Sequence, residues 1–96
     1  MRVDIIVSRH VGAIEWIRTN VPGVGEDTPV RASVVADDVR GKVVCGNLPL
    51  QLAALAERVL AVEFAGPPPR GNEYTAAEMA AAGARVAAYT VSGVQL

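Results

Sequence analysis

Three residue types that often anchor small folds are scarce in this chain. It contains one cysteine and one histidine, and aromatic residues make up 4% of its 96 residues. One cysteine forms no disulfide within a chain, and one cysteine with one histidine does not supply the ligand set of a structural zinc site. Apolar residues make up 51% of the chain and few of them are aromatic. We therefore expect a core of Val, Ile, Leu and Ala. Such a core favours strands that are covered on both faces.

Strong net charge and long apolar runs are also lacking. The net charge of −1 creates no overall field that would attract polynucleotides, so we expect no DNA partner. No apolar run has the length of a signal peptide or a membrane span. We therefore expect no membrane partner, a soluble cytoplasmic protein, and a single domain over residues 1–96.

Apolar runs rich in β-branched residues alternate with segments of helical character. Thr75 and Glu78 form a capping box, and Gly83 is suited to end the helix that follows it. This alternation predicts an α/β fold, a single Rossmann-like domain with a mostly parallel five-stranded sheet and helices on both faces. The predicted strands are residues 2–7, 30–36, 42–45, 59–65 and 84–91, and the predicted helices are residues 12–18, 50–58 and 75–83, with a turn at residues 37–41.

The polar residues without an obvious structural role follow three of the predicted strands. In open parallel sheets the ligand crevice lies beyond the carboxyl ends of the strands, so these loops are predicted to meet there. Arginine donates two hydrogen bonds to a phosphate, histidine transfers protons near neutral pH, and a helix that starts near Gly12 directs free N–H groups at the first loop. The pattern favours a phosphodiester ligand. The polar loop residues are Ser8, Arg9 and His10, then Asn47, then Arg70, Asn72 and Glu73.

Each of these residues also has a plainer interpretation. His10 suits an exposed position at the start of a helix, Arg9 a solvated loop, and Asn47 a turn. Trp16 either packs on the sheet or reaches the face of an adenine. Cys45 lies in the apolar run of residues 42–46, and we interpret it as a buried strand residue and not as a nucleophile. The acidic pairs at residues 26–27 and 37–38 are interpreted as solvated turn acids.

Three short segments resemble a small family of CRISPR-associated ring nucleases from type III loci. Residues 7–16 (VSRHVGAIEW) are similar to its N-terminal signature, in which a hydrophobic residue and Thr or Ser precede R-H-x-G-A-x-E-W. Residues 46–49 (GNLP) resemble its G-x-L-P element, and residues 70–73 (RGNE) its R-G-x-E element. Ser8 stands where Thr is commoner, which keeps the hydroxyl, and residues 21–40 match only weakly.

The resemblance implies a Rossmann-like domain related to cyclic-oligoadenylate sensor domains. It also implies cleavage of cyclic tetraadenylate without a metal or other cofactor, and with it an end to type III CRISPR signalling. A homodimer is expected, because a four-fold ring fits a two-fold symmetric pocket. Two other classes stay open, a sensor or sponge that binds the ring without cutting it and a structural subunit of a larger complex. The expected catalytic residues are Arg9, His10 and Arg70, and the expected substrate-binding residues are Ser8, Gly12, Trp16, Asn47, Leu48, Gly71 and Glu73.

Overall fold

Five strands and four helices alternate along the parts of the chain that the structure describes. The structure is a computed structural model, and it describes residues 1–67 and 74–96. The strands are β1 (Ile5–Val7), β2 (Val30–Arg31), β3 (Val43–Cys45), β4 (Arg58–Phe64) and β5 (Ala84–Tyr89). The helices are α1 (Val11–Asn20), α2 (Ala36–Val39), α3 (Leu50–Ala53) and α4 (Ala76–Ala81).

The strands form one sheet in the order β2-β1-β3-β4-β5. The first four strands are parallel to their neighbours, and β5 runs antiparallel to β4. The prediction of a mostly parallel five-stranded sheet in an α/β fold is therefore confirmed. The residue after β4 lies beside the residue before β5, because Ala65 donates its backbone N–H to the Gly83 carbonyl over 3.0 Å. The end of β4 therefore lies beside the start of β5, and the two strands pair antiparallel.

Helices cover both faces of the sheet. Along β3, Val43 and Cys45 belong to one buried cluster and Val44 to another, as the period-two alternation of a strand requires. The first cluster contains residues of α1 and α4, and the second packs against residues of α2 and α3. No helix within the described residues is long and apolar enough to cross a membrane.

Several predicted element boundaries differ from the structure, and the first strand, predicted from residue 2, starts at Ile5. The strand predicted over residues 30–36 ends at Arg31, and the expected turn is the helix α2. Asp38 explains this difference, because its carboxylate accepts the backbone N–H of Val35 over 2.8 Å and so caps the first turn. The helix predicted over residues 50–58 ends at Ala53, since hydrogen bonds to Lys42 draw Glu57 toward the start of β4.

The two signals predicted to bound α4 are present, although the helix spans Ala76–Ala81 and not the whole of residues 75–83. Thr75 and Glu78 exchange the two hydrogen bonds of a capping box, each over 3.0 Å. Gly83 follows the helix with φ +75°, a left-handed conformation that glycine adopts without strain. The capping box therefore determines where the chain enters α4, next to the carboxyl end of β4.

Candidate functional site

A cleft of about 360 Å³ opens at the carboxyl ends of the parallel strands. Val7 is the last residue of β1, Ala32 follows β2, and Gly46 with Asn47 follows β3. The cleft therefore lies at the carboxyl ends of the strands, where the sequence analysis predicted a crevice. The full lining comprises Val7, Ser8, Arg9, His10, Ala13, Ile17, Ala32, Gly46, Asn47, Val62, Phe64, Tyr74 and Met79.

Ser8, Arg9 and His10 form the turn from β1 into α1. Ser8 Oγ accepts the backbone N–H of His10 over 3.2 Å, which closes a short hydroxyl turn before the helix. Arg9 Nε donates to the Ala32 carbonyl over 3.3 Å, so the guanidinium is oriented by the strand end beside it. His10 occupies the N-cap position of α1 without a capping hydrogen bond from its side chain. The turn therefore brings a hydroxyl, a cation and an imidazole to one side of the cleft.

Asn47 closes the cleft at the end of β3. Its Oδ1 accepts the backbone N–H of Val62 over 3.3 Å, which extends the ladder beyond β3 while the main chain turns away. The turn starts at Gly46, whose φ is +147° and where a Cβ would overlap the Val7 carbonyl oxygen. The Nδ2 group of Asn47 remains a donor beside the residues of the first turn.

The electrostatics of this cleft favour an anion. Arg9 contributes a positive charge, and within the described residues no carboxylate lines the cleft. The first turn of α1 contains no acidic residue, and its N-cap residue His10 lines the same space, so the positive end of the helix dipole adds to the charge of Arg9. Together these groups are suited to hold a phosphate.

The floor of the cleft is apolar and includes residues that the sequence analysis missed. Phe64 ends β4, Tyr74 precedes the N-cap of α4, and both line the cleft with Met79. Two signals pointed to them. Phe64 lies at the carboxyl end of a strand, and Tyr74 stands next to a capping box in a chain with 4% aromatic residues.

Three of the expected substrate-binding residues do not present a side chain to the cleft. Trp16 is 6% exposed within the first core cluster, which fits its packing interpretation and leaves its ring face without access to a base. Leu48 packs against the second cluster on the opposite face of the sheet. Gly12 is buried where a Cβ would overlap the Tyr74 carbonyl oxygen, so its role is close packing of α1 against the start of α4.

Three of the expected site residues belong to the proline-rich loop that follows β4. Arg70, Gly71 and Glu73 lie outside the described residues. Their expected contribution to the site therefore stays a prediction from the sequence.

Cys45 is buried in β3, as interpreted from the sequence. Burial raises the pKa of its thiol to about 11, so the nucleophilic thiolate is rare near neutral pH. It does not line the cleft. Across residues 1–67 and 74–96, no group of three or more His, Cys, Asp and Glu residues is arranged to hold a metal ion.

The fold and the cleft define a class: a small α/β domain with an open crevice at the strand ends of a mostly parallel sheet. Residues 5–92 match the model of a family described as "Putative CRISPR-associated protein (Cas_VVA1548)". The match covers most of the chain, and the protein belongs to this family. No curated protein and no solved structure matches the chain.

Proposed function

We propose that the protein is a ring nuclease that cleaves cyclic tetraadenylate. The observation that carries the proposal is the convergence of Ser8, Arg9, His10 and Asn47 on one cleft at the strand ends. Membership of a CRISPR-associated family supports it, because the sequence elements that resemble ring nucleases include these same residues.

The chemistry of RNA requires little covalent participation by the protein. The ribose 2′-oxygen attacks the adjacent 3′-phosphorus, loses its proton, and the bond to the 5′-oxygen breaks as that oxygen gains a proton. Two such cuts convert the ring into linear di-adenylates with 2′,3′-cyclic phosphate ends. The reaction needs alignment, charge stabilisation and proton transfer more than a protein nucleophile.

The cleft residues suit these roles. Arg9 holds the scissile phosphate through its terminal nitrogens, since its Nε is already occupied by the Ala32 carbonyl. Ser8 and Asn47 add neutral hydrogen bonds, and the imidazole of His10 acts as general acid or base. Arg70 is expected from the sequence to contact the same phosphate.

Incubation with cyclic tetraadenylate in the presence and absence of EDTA tests this function. We expect linear di-adenylate in both conditions, and rates at least tenfold lower for Arg9→Ala and His10→Ala. The matched control is Arg40→Ala, which removes an arginine that precedes β3 at the amino end of the strand and does not line the cleft. The ion pair between Arg40 and Asp37 is solvent-exposed, so its loss costs little.

The alternatives predict different products. An intact ring that co-elutes with the protein would replace the nuclease by a sensor or sponge, and an intact ring without binding would favour a structural subunit. Full cleavage rates in both Arg9→Ala and His10→Ala would show that the assigned residues are wrong.

The homodimer is part of the same proposal. Two copies related by a two-fold axis would present the same groups to opposite phosphates of the ring. Solution scattering should give the mass of two chains at working concentration. A monomer that still cleaves the ring would separate the activity from the dimer.

A further inference from the structure

Tyr74 contacts a residue of the proposed catalytic group, although no sequence element of the site includes it. Its ring centroid lies 5.0 Å from that of the His10 imidazole, and the two planes are inclined by 31°. This separation is within the range of favourable aromatic pairs. Tyr74 is half-buried and also lines the cleft.

Two contacts hold the main chain on the carboxyl side of Tyr74. Its carbonyl oxygen lies against Gly12, where any side chain would overlap it. The next residue, Thr75, forms the capping box with Glu78. The ring of Tyr74 therefore projects from a backbone that is fixed by the packing of α1 against α4.

His10 is held less completely. Its backbone N–H is bound by Ser8 Oγ, which fixes the main chain but leaves rotation about the side-chain bonds. Within the described residues, the structure records no hydrogen bond to an imidazole nitrogen, and it records the contact with Tyr74. Ring packing can therefore restrict the imidazole while both nitrogens remain available to a substrate.

We propose that Tyr74 is a positioning residue that holds the His10 imidazole in the orientation used for proton transfer. The role of His10 in this statement rests on the proposed nuclease function, whereas the packing of the two rings does not. Tyr74 acts through its aromatic ring and not through its hydroxyl. Tyr74→Phe should therefore behave like the wild type, and Tyr74→Leu should not.

The first test needs no substrate. His10 is the only histidine, so its ring protons give isolated signals in a proton NMR spectrum. We expect nuclear Overhauser contacts between the His10 and Tyr74 rings in the wild type. The histidine signals should move in Tyr74→Leu, which lacks a ring current, and stay in place in Tyr74→Phe. Absence of the contacts in the wild type would overturn the packing whatever the protein does, even if the leucine variant failed to fold.

The second test measures cleavage of cyclic tetraadenylate. In Tyr74→Leu we expect kcat to fall roughly tenfold to a hundredfold, the range that misalignment of a reacting group produces, with a much smaller change in KM. The double variant Tyr74→Leu/His10→Ala should be no slower than His10→Ala alone, because the two residues act as one unit. Additive losses in the double variant, or a full rate in Tyr74→Leu, would refute the positioning role.

These results also separate the two proposals. A wild-type protein that leaves the ring intact would refute the nuclease, and with it the catalytic part of this inference. A wild type that cleaves the ring while Tyr74→Leu cleaves it equally well would refute the inference alone.

Discussion

The stability of the protein should fall in alkaline solution because of the buried thiol of Cys45. Burial raises its pKa from 9.0 to about 11 in the folded protein, so between these values the unfolded chain loses a proton that the folded chain keeps. Deprotonation then favours the unfolded state, and the free energy of unfolding decreases as pH rises. Two pKa units correspond to about 2.7 kcal/mol in total, of which about 2 kcal/mol is lost by roughly pH 10.5.

Urea denaturation from about pH 8 to pH 10.5 in the wild type and in Cys45→Ala measures this loss. The single tryptophan, Trp16, is 6% exposed, and its fluorescence reports unfolding. Tyr89 also has a raised pKa, because its hydroxyl donates a hydrogen bond to Glu63, but this contribution cancels between the two proteins. The loss of core volume in Cys45→Ala lowers stability equally at every pH.

The difference in unfolding free energy between the two proteins should therefore shrink as pH rises. A difference that stays constant over this range would refute the assignment of a buried, neutral thiol. Rapid alkylation of Cys45 in the native protein near neutral pH would refute it as well.

Two further substitutions test the walls of the cleft. Gly46→Ala should destabilise the protein by about 1–3 kcal/mol, since its Cβ would overlap the Val7 carbonyl oxygen at φ +147°. Urea denaturation measures this loss, and Gly93→Ala is the control, because its Cβ would meet Ala54 at an ordinary 3.9 Å. Equal stabilities of the two variants would contradict the close approach of Gly46 to the Val7 carbonyl. Asn47→Ala should lower the free energy of unfolding by about 0.5–1.5 kcal/mol, because the Val62 N–H loses its acceptor. Asn47→Asp keeps an acceptor oxygen and should lower it less. Equal losses in these two variants would show that the hydrogen bond to Val62 does not stabilise the fold.

Local sequence signals predicted the elements that depend on local interactions. The capping box at Thr75 and the left-handed glycine at Gly83 involve residues within a few positions of one another, and both are present. One local signal was missed, the cap that Asp38 provides three residues after Val35. The error in α3 occurred where residues distant in sequence decide the structure. Leu52 and Leu55 share the apolar face expected of one long helix, yet Leu55 lies beyond the end of α3 and still packs on the same cluster. Pattern alone does not distinguish a continuous helix from a short helix followed by a packed turn.

The two halves of the cleft differ in the same way. Ser8, Arg9 and His10 are neighbours in the chain, and their placement follows from a strand that ends and a helix that begins. The floor depends on Phe64, Tyr74 and Met79, which reach the first turn only when β4 and α4 pack against α1. No spacing rule joins residues so far apart, and this explains why the polar side was predicted and the aromatic side was not.

The polar turn and the apolar floor of the cleft contribute different properties to the site. The turn after β1 supplies the charge and the hydrogen-bonding groups that the proposed function assigns to the phosphate. Its backbone is closed by a hydrogen bond within the turn, and the Arg9 side chain also bonds to Ala32 at the end of β2. The floor gives the cleft its apolar shape, and it is attached to the turn through Gly12 and the contact of His10 with Tyr74. Substitutions at Tyr74 and Met79 should therefore alter the shape of the floor and the orientation of His10, without altering the charge that the turn after β1 contributes.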